Sequence, residues 1–142
     1  MPPENPDRAE EKAAAYLTGL AFLSEKDPGK AIDEISRSVA LSGYEYTNYH
    51  IRLAQAHLGA GRLEEALAAA NKAGAALDPA DPRLDLELDR IRARLLKARV
   101  EEAMGRLPQA SADARRFLSA WENADKALPE LAEARRLAQV GQ

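Results

Sequence analysis

The feature of this sequence that most constrains its fold is a six-residue pattern that occurs three times. The copies are Lys26-Asp27-Pro28-Gly29-Lys30-Ala31, Gly61-Arg62-Leu63-Glu64-Glu65-Ala66 and Gly105-Arg106-Leu107-Pro108-Gln109-Ala110. Their final alanines lie 35 and then 44 residues apart, which is near the unit length of helical solenoids, with about ten additional residues in the second interval. Repetition at this period predicts similar helical units that stack on one another and bury a continuous core.

The hydrophobic pattern places a helix on each side of every copy. Apolar residues recur at three- and four-residue steps before and after each turn, as they do on one face of a helix. We therefore predict an all-α fold with hairpins at about residues 8–43, 47–77 and 82–122. A capping helix follows at about 129–140, with Glu130, Glu133, Arg135 and Arg136 facing water. We predict that residues 8–142 form a single domain and that the proline-rich residues 1–7 are a disordered leader.

Composition agrees with an all-helical chain and narrows the possible partners. The chain contains 30 alanines and 19 leucines but only seven aromatic residues, a composition that favours helices over strands. It contains no cysteine, so disulfides and thiolate chemistry are excluded. No run approaches about 18 apolar residues, and the N-terminus lacks the pattern of a signal peptide. With a net charge of −3, we expect no nucleic-acid partner, no membrane partner and a cytoplasmic location.

The residues that could carry chemistry do not form a catalytic or metal-binding pattern. His50 and His57 lie about 10 Å apart along a helix at about 1.5 Å per residue, too far to share a metal ion, so we interpret them as packing residues. Adjacent acids such as Glu64 and Glu65 diverge on a helix, and no phosphate-binding loop or hydrolase triad is present. Phe117 and Trp121 are expected to seal one edge of the core. We predict no enzyme activity, no cofactor and no bound metal.

The segment from Leu53 to Leu67 resembles a tetratricopeptide repeat. That family has a small residue in the first helix, glycine at the turn and alanines in the second helix, and it places Asp-Pro, here Asp78-Pro79, between units. The matching structural positions over the three units are Gly19, Phe22, Ala31, Ala54, Gly61, Ala66, Ala73, Ala98, Gly105 and Ala110. Three residues depart from the pattern, because Ser38 replaces an alanine, Glu101 an aromatic residue and Phe117 a small residue.

The resemblance implies a right-handed solenoid of three hairpins and a capping helix that works as a protein–protein interaction scaffold. The stretch from Arg116 to Arg135 also resembles C-terminal repeat regions of larger bacterial regulatory and signalling proteins, which implies a bacterial module. In the family the first helix of each hairpin lines a concave groove. The positions implied here are Tyr16, Leu20, Leu23, Asn48, Ile51, Arg52, Gln55, Leu58, Arg92, Leu95, Leu96, Arg99 and Glu102.

This groove is predicted to bind an acidic peptide or amphipathic helix, because it is apolar at one end and arginine-rich at the other. Family members that grip a terminal carboxylate use lysines and asparagines. The matching positions here hold Tyr16, Leu20, Arg52, Arg92 and Leu96, so that mode is not expected. Two alternatives stay open: a structural subunit that assembles as a homo-oligomer, and an accessory domain of a signalling or regulatory protein. Light scattering separates a monomer from the first alternative.

Overall fold

The computed structural model describes residues 7–43, 47–75, 85–124 and 128–141. Within these ranges the chain forms helices and turns and no strand. The helices are α1 Asp7–Ser24, α2 Pro28–Ala40, α3 Thr47–Gly59, α4 Leu63–Ala75, α5 Asp85–Ala103, α6 Leu107–Ala120 and α7 Pro129–Leu137. The all-α prediction is confirmed. The predicted leader lies outside the described residues except for Asp7, which begins α1. The last two residues of the second predicted hairpin and the first three residues of the third also lie outside the described ranges.

Consecutive helices pack in pairs, and the pairs stack in chain order. Helix α1 packs on α2, α3 on α4 and α5 on α6, while α2–α3, α4–α5 and α6–α7 contacts join neighbouring units. The first helices also touch across units, since α1 contacts α3, α3 contacts α5 and α5 contacts α7. Among the described residues α2, α4 and α6 do not contact one another in this way. The array therefore curves, with α1, α3, α5 and α7 on its inner side.

Each hairpin turns through the same hydrogen-bonded motif. Lys26, Gly61 and Gly105 have φ angles of +60°, +73° and +74°. In each turn this residue donates its N–H to the carbonyl three residues earlier and the next residue donates to the carbonyl five residues earlier, at 2.8–3.1 Å. These bonds satisfy carbonyls that the helix end leaves free. In the first unit a lysine therefore adopts the left-handed conformation, which glycine adopts without steric strain.

Small residues allow the paired helices to approach closely. Ala31, Ala66 and Ala110, the last residues of the repeated pattern, are all 0% exposed. A Cβ atom added to Gly19 of α1 would lie only 2.4 Å from Cγ1 of Ile35 in α2. Glycine at this position therefore sets the distance between the helices of the first hairpin. Ala54, Ala73 and Ala98 are buried in the same way.

The residues that depart from the repeat pattern are buried as well. Phe117 is fully buried in a cluster between α5, α6 and α7, and its ring stacks on Trp121 with 5.3 Å between centroids. Ser38 is buried in α2, and its hydroxyl has no hydrogen-bond partner among the described residues. Glu101 is buried in α5, where Lys97 Nζ lies 3.6 Å from its carboxylate.

The terminal helix differs from the prediction in its C-terminal end and in the exposure of its glutamates. Helix α7 ends at Leu137, and residues 138–141 form turns instead of further helix. Its buried side places Leu131, Ala134 and Leu137 in the core. Arg136 is exposed, as predicted, whereas only 28% of the Glu133 side chain is exposed. Each of the two forms a bidentate ion pair with a residue of α5. Helix α7 lies beside α5 on the inner side of the array, so these side chains reach charged residues of α5.

Candidate functional site

A cleft of about 240 Å³ lies on the inner side of the array, between α3, α5 and α7. We call it the groove. Its floor contains the buried apolar side chains of Ile51, Leu95 and Leu96. Polar and charged residues surround this floor: Asn48, Arg52 and Gln55 from α3, Asp89, Arg92 and Arg99 from α5, and Glu130 from α7.

The structure brings most of the predicted groove positions together. Those from α3 and α5 that line the groove are Asn48, Ile51, Arg52, Gln55, Arg92, Leu95, Leu96 and Arg99. The other five positions lie outside it. Leu23 and Leu58 pack against core clusters, and Leu20 is half-buried in α1. Glu102 forms an ion pair with Arg136. Tyr16 is connected to the edge of the groove by a hydrogen bond with Arg52. The first hairpin therefore adds little to the lining.

Tyr16 and Arg52 connect the first two units at the rim. The ring of Tyr16 contacts Tyr49, with 4.2 Å between centroids. Burial raises the pKa of the Tyr16 hydroxyl above 10.0, and Arg52 opposes this shift by its charge and a hydrogen bond. Arg52 Nη1 also donates to Oε1 of Gln55 at 3.0 Å. Two neutral partners, Tyr16 and Gln55, thus orient the Arg52 guanidinium.

The two arginines of α5 that were predicted to border the groove differ in exposure and in ion pairing. Arg92 is exposed at the groove and forms no hydrogen bond or ion pair with another described residue. Arg99 is half-buried, and both its Nε and Nη2 donate to the carboxylate of Glu133. Both were predicted to border the groove, and both lie in its lining, but the guanidinium of Arg99 is already paired with a carboxylate. No pattern in the sequence indicates that α7 brings Glu133 and Glu130 to this end of the groove.

A second cleft of about 380 Å³ lies on the other side of α5, against α4 and α6. Its charged residues are Arg90, Arg94, Lys97, Asp113 and Arg116. Here the charges largely pair internally: Lys97 Nζ lies 2.9 Å from Asp113 and 3.6 Å from Glu101, and Arg116 lies 3.4 Å from Asp113. Burial, and next the charge of Asp113, raises the pKa of Glu101. This cleft is larger than the groove, and its apolar lining consists of Ala70, Ala75, Ile91 and Ala93.

The histidines lie in the packed part of α3. His50 and His57 are both buried, and burial lowers the pKa of His57. In the described part of the chain no three His, Asp or Glu side chains group in a way that could hold a metal ion. None of the helices in the same ranges has the length and hydrophobicity needed to cross a bilayer.

Solved structures with the same architecture identify the fold. The Arabidopsis OM64 TPR domain superposes with a TM-score of 0.70 at 21% identity, over 92% of this chain and 97% of that one. The second TPR domain of human RPAP3, in complex with the HSP70 peptide SGPTIEEVD, gives 0.70 at 19% identity over 93% and 98%. The first TPR of Spaghetti (RPAP3), bound to the HSP90 peptide SRMEEVD, gives 0.70 at 18% over 92% of each chain. The chain has the tetratricopeptide repeat fold.

The predicted tetratricopeptide-like solenoid is thereby confirmed as a fold. No protein-family model matches the sequence, and no curated protein matches it either. At about one identical residue in five, the likeness to these tetratricopeptide domains lies in the backbone arrangement. The further resemblance to bacterial regulatory proteins stays a prediction.

Proposed function

We propose that this protein is an interaction module that binds an acidic peptide or helix of a partner protein in the groove. The observation that carries the proposal is Arg92, an exposed cation above a floor of buried Leu95 and Leu96 and without an ion-pair partner among the described residues. Arg52, held by Gln55, supplies a second cation on the facing helix. Apolar contact with the floor would supply affinity, and the two guanidinium groups would orient a carboxylate.

The tetratricopeptide domains with bound peptides support an acidic ligand. The peptides SRMEEVD and SGPTIEEVD both carry neighbouring glutamates and a terminal aspartate. In this chain Tyr16, Leu20 and Leu96 stand where lysine and asparagine would grip a terminal carboxylate. We therefore expect the ligand to bind through acidic side chains, with an amidated C-terminus tolerated.

The remaining parts of the proposal concern catalysis, location and assembly. We propose no catalytic role and a cytoplasmic site of action, in line with the absence of cysteine. A homo-oligomer is the second candidate, supported by α1, whose Leu17 is 63% exposed beside the exposed Ala13 and Ala21. An apolar face at one end of a solenoid would be covered by another copy. Light scattering tests it: a monomer at high concentration rejects this candidate.

Selection from a random peptide library displayed on phage, followed by binding measurements, tests the groove. The enriched peptides should combine acidic residues with apolar anchors. Arg92→Glu should weaken their binding at least about tenfold, because attraction becomes repulsion. The matched control is Arg94→Glu, which makes the same charge change two residues along α5 on the opposite cleft. Equal losses from the two variants would show that net charge alone governs binding, and no loss from Arg92→Glu would place the ligand elsewhere.

A further inference from the structure

The contact between Glu133 and Arg99 has the geometry of a bound acidic ligand. The two carboxylate oxygens of Glu133 accept separate hydrogen bonds from Arg99 Nε and Nη2. This fork-to-fork arrangement is how arginine recognises carboxylates in proteins and in peptide complexes. Arg99 lines the groove, whereas Glu133 belongs to α7, which also brings Glu130 to the same end.

We propose that Arg99 is a second carboxylate subsite of the groove, occupied by Glu133 until an acidic side chain of the partner replaces it. This inference rests on the proposed peptide-binding function and adds a requirement on the ligand. Arg92 and Arg99 are separated by seven residues, or about 10 Å along α5 at about 1.5 Å per residue. A peptide in the polyproline II conformation rises about 3.1 Å per residue and presents every third side chain on the same side, so acidic residues three positions apart match this spacing. The partner class is therefore a peptide with two acidic residues in an i, i+3 relation.

Glu133 can leave Arg99 without α7 leaving the fold. Leu131, Ala134 and Leu137 hold α7 in the core next to α5 and α6. At its C-terminal end Ser111 Oγ donates to the carbonyl of Ala138 at 2.8 Å. The exchange thus requires only that the Glu133 side chain, 28% exposed, rotate towards water. Glu133 lowers the affinity of an acidic ligand, and a ligand with a single carboxylate binds at Arg92 alone.

A second bidentate ion pair between α5 and α7 provides a matched control for the pair of Arg99 and Glu133. Glu102 of α5 accepts two hydrogen bonds from Arg136 of α7, at 2.6 and 2.8 Å. Both Glu133→Gln and Glu102→Gln remove one negative charge and one bidentate α5–α7 ion pair. They differ in the arginine that is released: the first releases Arg99 in the groove, and the second releases Arg136 on α7.

The probe is a fluorescein-labelled hexaglutamate with an amidated C-terminus, measured by fluorescence polarisation against the full chain. Glu133→Gln should bind it about five- to tenfold more tightly than the wild type, with Glu102→Gln close to the wild type. Amidated diglutamate is too short to reach both arginines, so Glu133→Gln should increase the affinity for it much less than for hexaglutamate. Thermal melts of both variants check that the fold is retained.

The outcomes separate this inference from the proposed function. Equal affinity of the wild type and Glu133→Gln for hexaglutamate, with Arg92→Glu still weakening it, would overturn the Arg99 subsite and leave the groove function intact. Equal gains from Glu133→Gln and Glu102→Gln would also overturn the subsite, because net charge or loosening of α7 would then explain both. No effect of Arg92→Glu on any of these complexes would contradict the proposed function itself.

Discussion

The close approach of α1 and α2 gives the sharpest stability prediction. In Gly19→Ala the new methyl carbon would lie 2.4 Å from Cγ1 of Ile35 and 3.3 Å from its backbone nitrogen. Carbon atoms pack best at about 3.5–4.0 Å, so the overlap exceeds about 1 Å. Overpacking of this kind typically costs about 1–3 kcal/mol. Alanine also favours a helix over glycine by about 1 kcal/mol, which offsets part of the loss.

Gly74→Ala isolates the steric part of this cost. Gly74 lies in helix α4, where an added Cβ would meet nothing within 4 Å. This variant should therefore gain about 0.5–1 kcal/mol from helix propensity and the unfolded state. Because the propensity gain is largely common to both positions, Gly19→Ala should be less stable than Gly74→Ala by about 1–3 kcal/mol.

Urea unfolding followed by circular dichroism measures this difference, and a double-mutant cycle identifies its cause. Ile35→Ala alone should cost about 2–5 kcal/mol because it leaves a cavity. With Ile35 truncated, adding Gly19→Ala should cost nothing further. Equal stability of Gly19→Ala and Gly74→Ala, or strict additivity in the cycle, would refute the close contact between these two helices.

Three further predictions concern the turns, the repeated alanine and a buried acid. In urea unfolding, Lys26→Gly should stabilise the fold by roughly 0.5–1 kcal/mol and Gly61→Lys should destabilise it by about 1–2 kcal/mol, because residues 26 and 61 both have positive φ angles. Effects of the opposite sign would exclude the shared turn. In thermal melts, Ala66→Leu should lower the free energy of unfolding by about 1–3 kcal/mol, whereas Ala68→Leu, on the exposed side of α4, should change it little. Equal melting temperatures of the two variants would reject the alignment of the repeats. Because burial raises the pKa of Glu101 from 4.5, the free energy of unfolding of the wild type relative to Glu101→Gln should fall as pH rises from about that value through the raised pKa. A difference between the two proteins that does not change with pH would contradict this prediction.

The fold was predictable because its determinants are local. Each turn carries its own signal, with Gly61 and Gly105 in the left-handed conformation that glycine adopts without strain. The buried alanines follow at a fixed distance, so the hairpins could be aligned without knowing any tertiary contact. Lys26 shows that the motif persists where glycine is absent, because the remaining hydrogen bonds and contacts hold the turn.

The groove was predictable only in its α3 and α5 parts. Positions such as Arg52 and Arg92 follow from the helical phase of a repeat that matches its family pattern. The placement of α7 depends on its packing against Phe117, which no periodicity encodes. For this reason the ion pair that occupies Arg99 was missed.

The most direct test of the account is where a selected peptide contacts the protein. Methyl resonances assigned in isotope-labelled protein would be followed while an unlabelled peptide from the library selection is added. The account predicts that the methyl groups of Ile51 and Leu96, on the groove floor, show the largest shifts and contacts with the peptide. Shifts confined to Ala70 and Ala75, which line the cleft on the other side of α5, would contradict it.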